Sequence, residues 1–266
     1  MNEKERLDIF LHINGFAESR EKAKQLIVNN CVYVDNNLIN KPSAKISSKS
    51  SIIVQNEAIQ YVGRGASKLE KALNTFNINT KEAVAIDVGA STGGFTDYLL
   101  KHGAKKVYAV DVGHDQLHEK IKNDEKVVNM EGTNFRYISS ELFKENVDII
   151  VVDVSFISLN LILPKIVEIC NDSTNIVVLI KPQFEAGKSN VGKNGIVKDK
   201  KIHLTVLNNI KDYCLNNNIY IENITFSPIK GGNGNIEYLA HLKKGNNTKY
   251  DSETFKSLIK EAFDLL

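Results

Sequence analysis

The feature that most limits the fold is a series of strand-length apolar runs, separated by helical segments, that begins near Val84. The runs are "AVAID", "KKVYAVD", "KVVNME", "VDIIVVD" and "NIVVLIK". They are apolar at nearly every position, as strands are when helices cover both faces of a parallel sheet. Segments with helical spacing lie between them, such as "FTDYLLKHG", "QLHEKIKN" and "HLTVLNNIKDYCLNNN". The pattern predicts an open, mostly parallel α/β sheet, and "IENITFSPI" and "IEYLAHLKK" predict a terminal antiparallel hairpin.

Residues 1–57 have a different pattern. Two short segments, "ERLDIFLHING" and "ESREKAKQLIVNN", show apolar residues at helical spacing, and Ser19 can cap the second helix. "CVYVDNNLIN" alternates around a polar turn as a hairpin does, and "SSIIVQ" is a further short strand. We therefore predict a small α+β domain at residues 1–57 and a larger α/β domain at residues 58–266.

Composition excludes several classes of protein. The 266 residues are 42% hydrophobic and 25% charged, with a net charge of +2, which is typical of a folded globular chain. The apolar runs are shorter than the roughly 20 residues of a membrane span, and the start "MNEKERLDIFLHI" lacks a signal peptide pattern. We expect a soluble, cytoplasmic protein without membrane contact. The isolated Cys31, Cys170 and Cys214 are expected to be buried thiols, and the histidines form no ligand-spaced cluster, so no metal is expected.

The loop after the first strand of the larger domain predicts a nucleoside site. Asp87 ends that strand and "GASTGG" follows. The spacing is neither Gly-x-Gly-x-x-Gly nor the lysine-containing P-loop, which disfavours dinucleotides and triphosphates. A glycine loop beside an acid and without a phosphate-binding lysine suits a cationic, phosphate-free nucleoside such as S-adenosylmethionine.

Asp111, at the end of the second strand, can accept hydrogen bonds from both hydroxyls of a ribose. Either Asp87 or Asp111 alone could be an ordinary polar residue at a strand end. Together with the glycine loop they favour a cofactor site. The expected cofactor contacts are Asp87, Gly89, Ser91, Gly93, Gly94, Phe95, Asp111, Asn134 and Asp153.

Segments along nearly the whole chain resemble one known family. They are "GASKLEKAL", "IDVGASTGGFTDYLL", "DVGHDQLH", "DVSFISL", "IKPQFE", "GIVKD" and "GGNGNIEYL". In this order they resemble the TlyA family of ribosomal RNA 2′-O-methyltransferases, historically called hemolysins, which have an FtsJ-like, Rossmann-like methyltransferase domain. The first 57 residues, with "RLDIFL", "ESREKAKQLI" and "VYVDNNLINKP", resemble the S4-type RNA-binding domain that precedes it in that family.

The resemblance implies a Lys-Asp-Lys-Glu tetrad, matched here by Lys68, Asp153, Lys181 and Glu237. It implies Lys181 as the base for a ribose 2′-hydroxyl, with cytidine the expected nucleotide. Lys68 and Glu237 would orient that hydroxyl, and Asp153 would lie beside the methyl donor. A lysine can act as a base only when burial or a neighbouring cation lowers its pKa.

One segment departs from the family pattern. In "DVGHDQLH", His114 and Asp115 stand where the resemblance leads us to expect an aromatic residue followed by glycine. The departure concerns the surroundings of the cofactor's adenosine rather than the tetrad.

Basic residues favour ribosomal RNA or a ribosomal subunit as partner. Between Arg20 and Lys49, six basic residues face two acidic ones, and the same excess recurs between Lys181 and Lys201. Such runs are often only solvated surfaces, but two of them flanking a site suit phosphate contacts. The candidate RNA contacts are Arg20, Lys22, Lys24, Lys41 and Lys45.

Three other functions remain as alternatives. A membrane-active cytolysin is suggested by the older family name, but the sequence shows neither a secretion signal nor a spanning segment. An inactive binding module is disfavoured by the intact tetrad. A nicotinamide oxidoreductase is disfavoured by the glycine spacing. The sequence does not indicate the oligomeric state.

Overall fold

A computed structural model describes residues 4–28, 31–35, 37–48, 50–54, 61–247 and 249–266. The chain forms two compact units, Met1–Gln60 and Tyr61–Leu266. The boundary predicted after residue 57 lies outside the described residues.

The N-terminal unit combines two helices with short strands. In chain order they are β1 (Lys4–Arg6), α1 (Leu7–Ile13), α2 (Arg20–Val28), β2 (Val32–Val34), β3 (Asn37–Leu38), β4 (Lys45–Ser47) and β5 (Ile52–Val54). Strand β2 lies between β3 and β5, and β1 pairs with β4, both antiparallel. The predicted cap of α2 is confirmed, because Ser19 Oγ accepts from the Lys22 amide at 3.1 Å.

A buried carboxylate links the first strand and both helices of this unit. Asp8 on α1 is fully buried and accepts from Arg6 Nε and Arg20 Nε, both at 2.9 Å. The two guanidinium groups, Arg6 foremost, lower the pKa of Asp8 to about 2. The pairing removes the cost that an isolated charge would have in a core formed by residues such as Leu7, Leu11 and Ile27.

The larger unit alternates strands and helices as predicted. Its elements are α3 (Ala66–Phe76), β6 (Val84–Val88), α4 (Gly94–Lys101), β7 (Lys106–Val110), α5 (Glu119–Lys122), β8 (Val127–Met130), β9 (Ile149–Val152), α6 (Leu163–Ile169), β10 (Asn175–Ile180), α7 (Pro182–Glu185), α8 (Lys200–Asn216), β11 (Ile219–Phe226), β12 (Tyr238–Lys244) and α9 (Ser252–Leu265). The strands form one sheet in the order β11-β12-β10-β9-β6-β7-β8. Strands β8, β7, β6, β9 and β10 are parallel, and β12 is antiparallel to both β10 and β11. The predicted α/β fold and terminal hairpin are confirmed.

Both faces of this sheet are buried, which explains the continuous apolar runs. Ile86 and Ile150 belong to one core, which includes residues of α6, α8 and α9. Their strand neighbours Ala85 and Val151 belong to a second core with α3 and α4. Successive residues of a strand point to opposite faces, so the inner strands β12, β10, β9, β6 and β7 each contribute to both cores.

The three cysteines are buried thiols, as predicted. Among the described residues, no helix is long and apolar enough to cross a bilayer.

Buried histidines predict a loss of stability in mild acid. Burial, assisted by Lys243, lowers the pKa of His241 from 6.5 to about 4. The unfolded chain therefore binds this proton at a higher pH than the folded chain, so the free energy of unfolding falls as pH drops from 6.5 towards 4. Through His241 alone, the free energy of unfolding is lower at pH 5 than at neutral pH by about 2 kcal/mol.

We expect urea unfolding at pH 7.5 and pH 5 to show this fall, and His241→Gln to show a smaller one. Some pH dependence will remain in the variant, because burial also lowers the pKa of His203. An equal fall in both proteins would show that His241 does not contribute.

Candidate active site

The loop after β6 lies where the strand order reverses, since β7 follows on one side of β6 and β9 lies on the other. Gly89, Ser91 and Gly93 have positive φ values of 86°, 48° and 92°. A Cβ on Gly89 would come within 2.6 Å of the Asp153 carbonyl oxygen at the end of β9. Glycine is therefore required where the two strand ends approach each other.

A segment just before α3 packs against this loop. A Cβ on Gly63 would lie 2.9 Å from Thr92 Oγ1 and 3.4 Å from Gly94 Cα. The Val62 amide donates to Asp97 Oδ2 on α4 at 2.8 Å. Sequence reasoning did not include this segment in the site, although its two glycines in "YVGRGASK" were the available signal.

Asp111 follows β7 and is fixed by two backbone amides. Its Oδ2 accepts from the Ser91 amide at 2.8 Å, and its Oδ1 accepts from the Gly113 amide at 2.7 Å. Each carboxylate oxygen has two lone pairs, so both keep capacity for another donor. The structure thus joins the predicted strand-end acid to the glycine loop.

Asp87 is fully buried beneath the loop. Its Oδ2 accepts from Thr96 Oγ1 on α4 at 2.7 Å, and its Oδ1 has no hydrogen-bond partner among the residues that the structure describes. Burial raises the pKa of Asp87 to about 7, the nearby Asp153 adds to the rise, and the hydrogen bond from Thr96 opposes it. Asp87 therefore connects β6 to α4 from below, whereas we predicted a direct cofactor contact.

Strand register brings three of the four predicted tetrad residues to one edge of the sheet. Ile180 at the end of β10 pairs with Tyr238 at the start of β12, so Lys181 and Glu237 are adjacent. Val178 of β10 pairs with Val152 of β9, so Asp153 emerges beside them. Lys68 reaches the same place from α3.

The four side chains form an alternating ion-pair chain, Glu237–Lys68–Asp153–Lys181. Lys68 Nζ lies 2.7 Å from Glu237 Oε2 and 3.9 Å from Asp153 Oδ2. Lys181 Nζ lies 2.5 Å from Asp153 Oδ1. Both lysines and Glu237 are buried. Two cations and two anions balance one another, which makes their burial tolerable.

A cavity of about 280 Å³ opens between this ion-pair chain and the glycine loop. The cavity is lined by residues 63–65, 89–92, 94, 95 and 229–232 and by Lys68, Asp153, Ser155 and Lys181. Predicted contacts Asp87, Gly93, Asp111 and Asn134 lie outside this wall. Asn134 is exposed and caps a short 3₁₀ turn by accepting from the Arg136 amide at 3.1 Å.

Two residues that were not predicted from the sequence contact Glu237, one through a hydrogen bond and one through close packing. Gln183 Nε2 donates to Glu237 Oε1 at 3.1 Å. A Cβ on Gly231 would lie 2.3 Å from that same oxygen. The position of Gln183, two residues after Lys181, was a local signal for including Gln183 in the site. For Gly231 the local signal was the glycine-rich turn "KGGNGN".

The predicted RNA contacts differ in their surroundings. Arg20 Nε is bound to buried Asp8, and Lys24 Nζ pairs with Glu21 Oε2 at 3.0 Å. Lys41 and Lys45 are exposed. Arg20 therefore has a structural role in its own unit, and its side chain is half exposed.

Most of the chain matches two known families. Residues 61–244 match the FtsJ-like methyltransferase family, and residues 5–52 match the S4 domain. The TlyA 16S/23S rRNA (cytidine-2′-O)-methyltransferase of Mycobacterium tuberculosis is 37% identical over 244 residues, 91% of each chain. The chain belongs to the TlyA family of FtsJ-like methyltransferases.

Other members of the TlyA family carry different names. A Bacillus subtilis protein named as a candidate rRNA methyltransferase, YqxC, is 47% identical over 242 residues, covering 91% of this chain and 86% of its own length. A solved structure from Streptococcus thermophilus, described as a candidate hemolysin, is 42% identical with a TM-score of 0.74, covering 100% of this chain and 98% of its own.

The structure explains one departure from the TlyA pattern. Asp115 has a φ of 52° in the left-handed region, where the family pattern leads us to expect glycine. Aspartate is among the few non-glycine residues that adopt this conformation readily. The turn after β7 therefore keeps a left-handed residue despite the substitution.

Gly231→Ala should destabilise the larger unit, because its methyl group would displace Glu237 and disturb the Lys68 pairing. We expect the free energy of unfolding to fall by about 1–3 kcal/mol in urea. Gly232→Ala is the matched control, since no atom lies within 4 Å of a Cβ placed there. Equal stability of the two variants would contradict the tight packing at Gly231.

Proposed function

We propose that this chain transfers a methyl group from S-adenosylmethionine to the 2′-hydroxyl of a cytidine ribose in ribosomal RNA. The observation that carries the proposal is the ion-pair chain at the cavity, where Lys181 and Asp153 pair at 2.5 Å and both line the cavity wall. The name of the M. tuberculosis relative supports the nucleotide and the acceptor oxygen.

The residues at the glycine loop fit this cofactor. Asp111 presents a fixed carboxylate suited to ribose hydroxyls, and the backbone of Gly89 and Gly94 allows close approach. The loop from Gly89 to Gly94 contains no lysine for a phosphate. Asp153 lines the same cavity and carries a negative charge beside it, which suits a sulfonium. When bound, S-adenosylmethionine supplies an activated methyl group on a sulfonium.

Lys181 has the position of a general base. Its Nζ lines the cavity and lies next to Asp153. Once deprotonated, Lys181 would accept the proton of the ribose 2′-hydroxyl, so that an N–H bond forms as the O–H bond breaks. The oxygen would then be free to take the methyl group from the bound cofactor, which would leave as the neutral thioether. Asp153 then stabilises the ammonium that forms.

Lys68 and Glu237 have an orienting role. Lys68 Nζ lies at the cavity wall and is held by Glu237 Oε2. Its remaining N–H groups can donate to the substrate hydroxyl oxygen and direct that oxygen towards the donor. Because Gln183 fixes Glu237, the lysine is held in one position before the substrate arrives.

Two variants should separate chemistry from cofactor binding. Lys181→Ala should reduce methyl transfer to ribosomal subunits at least 100-fold with nearly unchanged cofactor affinity, because a base acts in the transition state. Asp111→Ala should instead weaken cofactor binding by about 1–3 kcal/mol through lost hydroxyl contacts. Transfer of labelled methyl groups and calorimetric titration measure the two quantities.

Lys260→Ala, an exposed lysine on α9, is the control and should match the wild type. A Lys181→Ala protein that retains turnover would show that Lys181 is not the base. Unchanged calorimetric affinity in Asp111→Ala would remove Asp111 from the cofactor site.

The N-terminal unit is proposed to hold ribosomal RNA. It matches the S4 domain and contains none of the ion-pair chain or the glycine loop. Its exposed Lys41 and Lys45 can contact phosphates, which position a protein on RNA without reading sequence. Such a substrate places the protein in the cytoplasm.

Reversal of these charges should weaken RNA binding and reduce its salt dependence. We expect the double variant Lys41→Glu with Lys45→Glu to bind ribosomal subunits at least tenfold more weakly in low salt, with unchanged cofactor affinity. The slope of log affinity against log salt should fall by about 1 for each lost phosphate contact. Lys260→Glu is the matched control; an identical slope in all three proteins would exclude Lys41 and Lys45 as phosphate contacts.

The name of the S. thermophilus neighbour raises the alternative of a cytolysin. Lysis gives no reason for a buried ion-pair chain beside a cavity. Haemolysis by the purified protein that persists in Lys181→Ala would support an activity independent of this site.

A further inference from the structure

Ser155 lies beside Lys181 and was not among the predicted site residues. Lys181 Nζ donates to Ser155 Oγ at 2.9 Å, and both side chains line the cavity. Asp153 Oδ1 lies 2.5 Å from the same nitrogen. Lys181 Nζ therefore has two partners, an ion pair to Asp153 and a hydrogen bond to Ser155.

The turn that carries Ser155 is fixed at both ends. At its start, the Asp153 amide donates to the Val88 carbonyl oxygen at 3.0 Å. At its end, Glu185 accepts from Ser158 Oγ at 2.6 Å and from the Leu159 amide at 2.8 Å. Between them Phe156 has a φ of 64°, a strained conformation for an aromatic residue. Such over-determined geometry is typical of a turn that must hold a side chain in one place.

The direction of an amine's lone pair depends on where its N–H groups point. Nζ has four tetrahedral directions, of which one is the bond to the side chain. In the neutral amine, one N–H can donate to Ser155 Oγ and the other can point at Asp153. The lone pair then occupies the fourth direction, which is where a substrate hydroxyl must lie. Without Ser155, the flexible lysine could rotate about its terminal bond and lose that alignment.

We propose that Ser155 is a positioning residue that aims Lys181 Nζ at the substrate hydroxyl. The inference rests on the proposed function of Lys181 as the base. Ser155 exchanges no proton with the substrate in this role, and it acts on the rate through the direction of the amine.

Steady-state methylation of ribosomal subunits by the full chain tests the role. Ser155→Ala should lower kcat by about 10- to 100-fold, as expected for a misaligned base, with KM and cofactor affinity unchanged within about twofold. Ser155→Thr keeps a hydroxyl and should recover most of the lost kcat. Ser257→Ala, an exposed serine on α9, is the matched control and should equal the wild type.

Ser155 is itself exposed, so Ser155→Ala should keep the wild-type melting temperature, which excludes misfolding as the cause of a loss. A kcat within twofold of the wild type would overturn the inference while leaving the proposed function intact. A loss expressed mainly in KM, or an equal loss in Ser155→Thr and Ser155→Ala, would overturn it as well. Absence of methyl transfer by the wild-type chain would instead refute the proposed function itself.

Discussion

The burial of two lysines at one edge of the sheet is the constraint on which this site depends. A buried lysine is costly unless an anion lies beside it, and both Lys68 and Lys181 lie next to Asp153. Glu237 balances the second positive charge through Lys68. Removing one member would leave a buried charge without its partner, which costs far more than the pair contributes to stability. The four residues are therefore best regarded as one unit.

Sheet topology determines why that unit faces a cavity. The strand order reverses at β6, and in such sheets a ligand enters the crevice outside the carboxyl ends of the strands at that point. Gly89 allows the loop backbone to approach the Asp153 carbonyl oxygen, while Asp111 fixes the other side of the loop through Ser91. The glycine loop and the ion-pair chain thus line one cavity.

The names of the relatives divide between rRNA methyltransferase and hemolysin, although the same fold carries both. A fold by itself does not decide between them. The structural feature that bears on the question is the chain of ion pairs formed by Lys68, Asp153, Lys181 and Glu237 beside a cavity. The S4 match at residues 5–52 is consistent with an RNA substrate.

Much of the architecture could be predicted from sequence because its causes are local. Apolar runs such as "VDIIVVD" are buried on both faces, and the glycines of "GASTGG" mark a tight loop after a strand. Asp111 could be proposed for the same reason, since it directly follows a strand at the expected edge. The tetrad was accessible only through family resemblance, because Lys68 carries no local signal of its own.

Tertiary structure alone decided which side chains meet. Lys68 and Glu237 are 169 positions apart, and only the packing of α3 near the start of β12 brings them to 2.7 Å. Asp87 has the sequence context of a cofactor contact, yet burial beneath α4 gives it a supporting position instead. The hydrogen bonds of Gln183 and Ser155 likewise follow from register and turn geometry. Local sequence determined the strands and the loop, because backbone conformation and apolar periodicity are local properties. Contacts between distant residues depend on how the strands pair, which only the folded chain establishes.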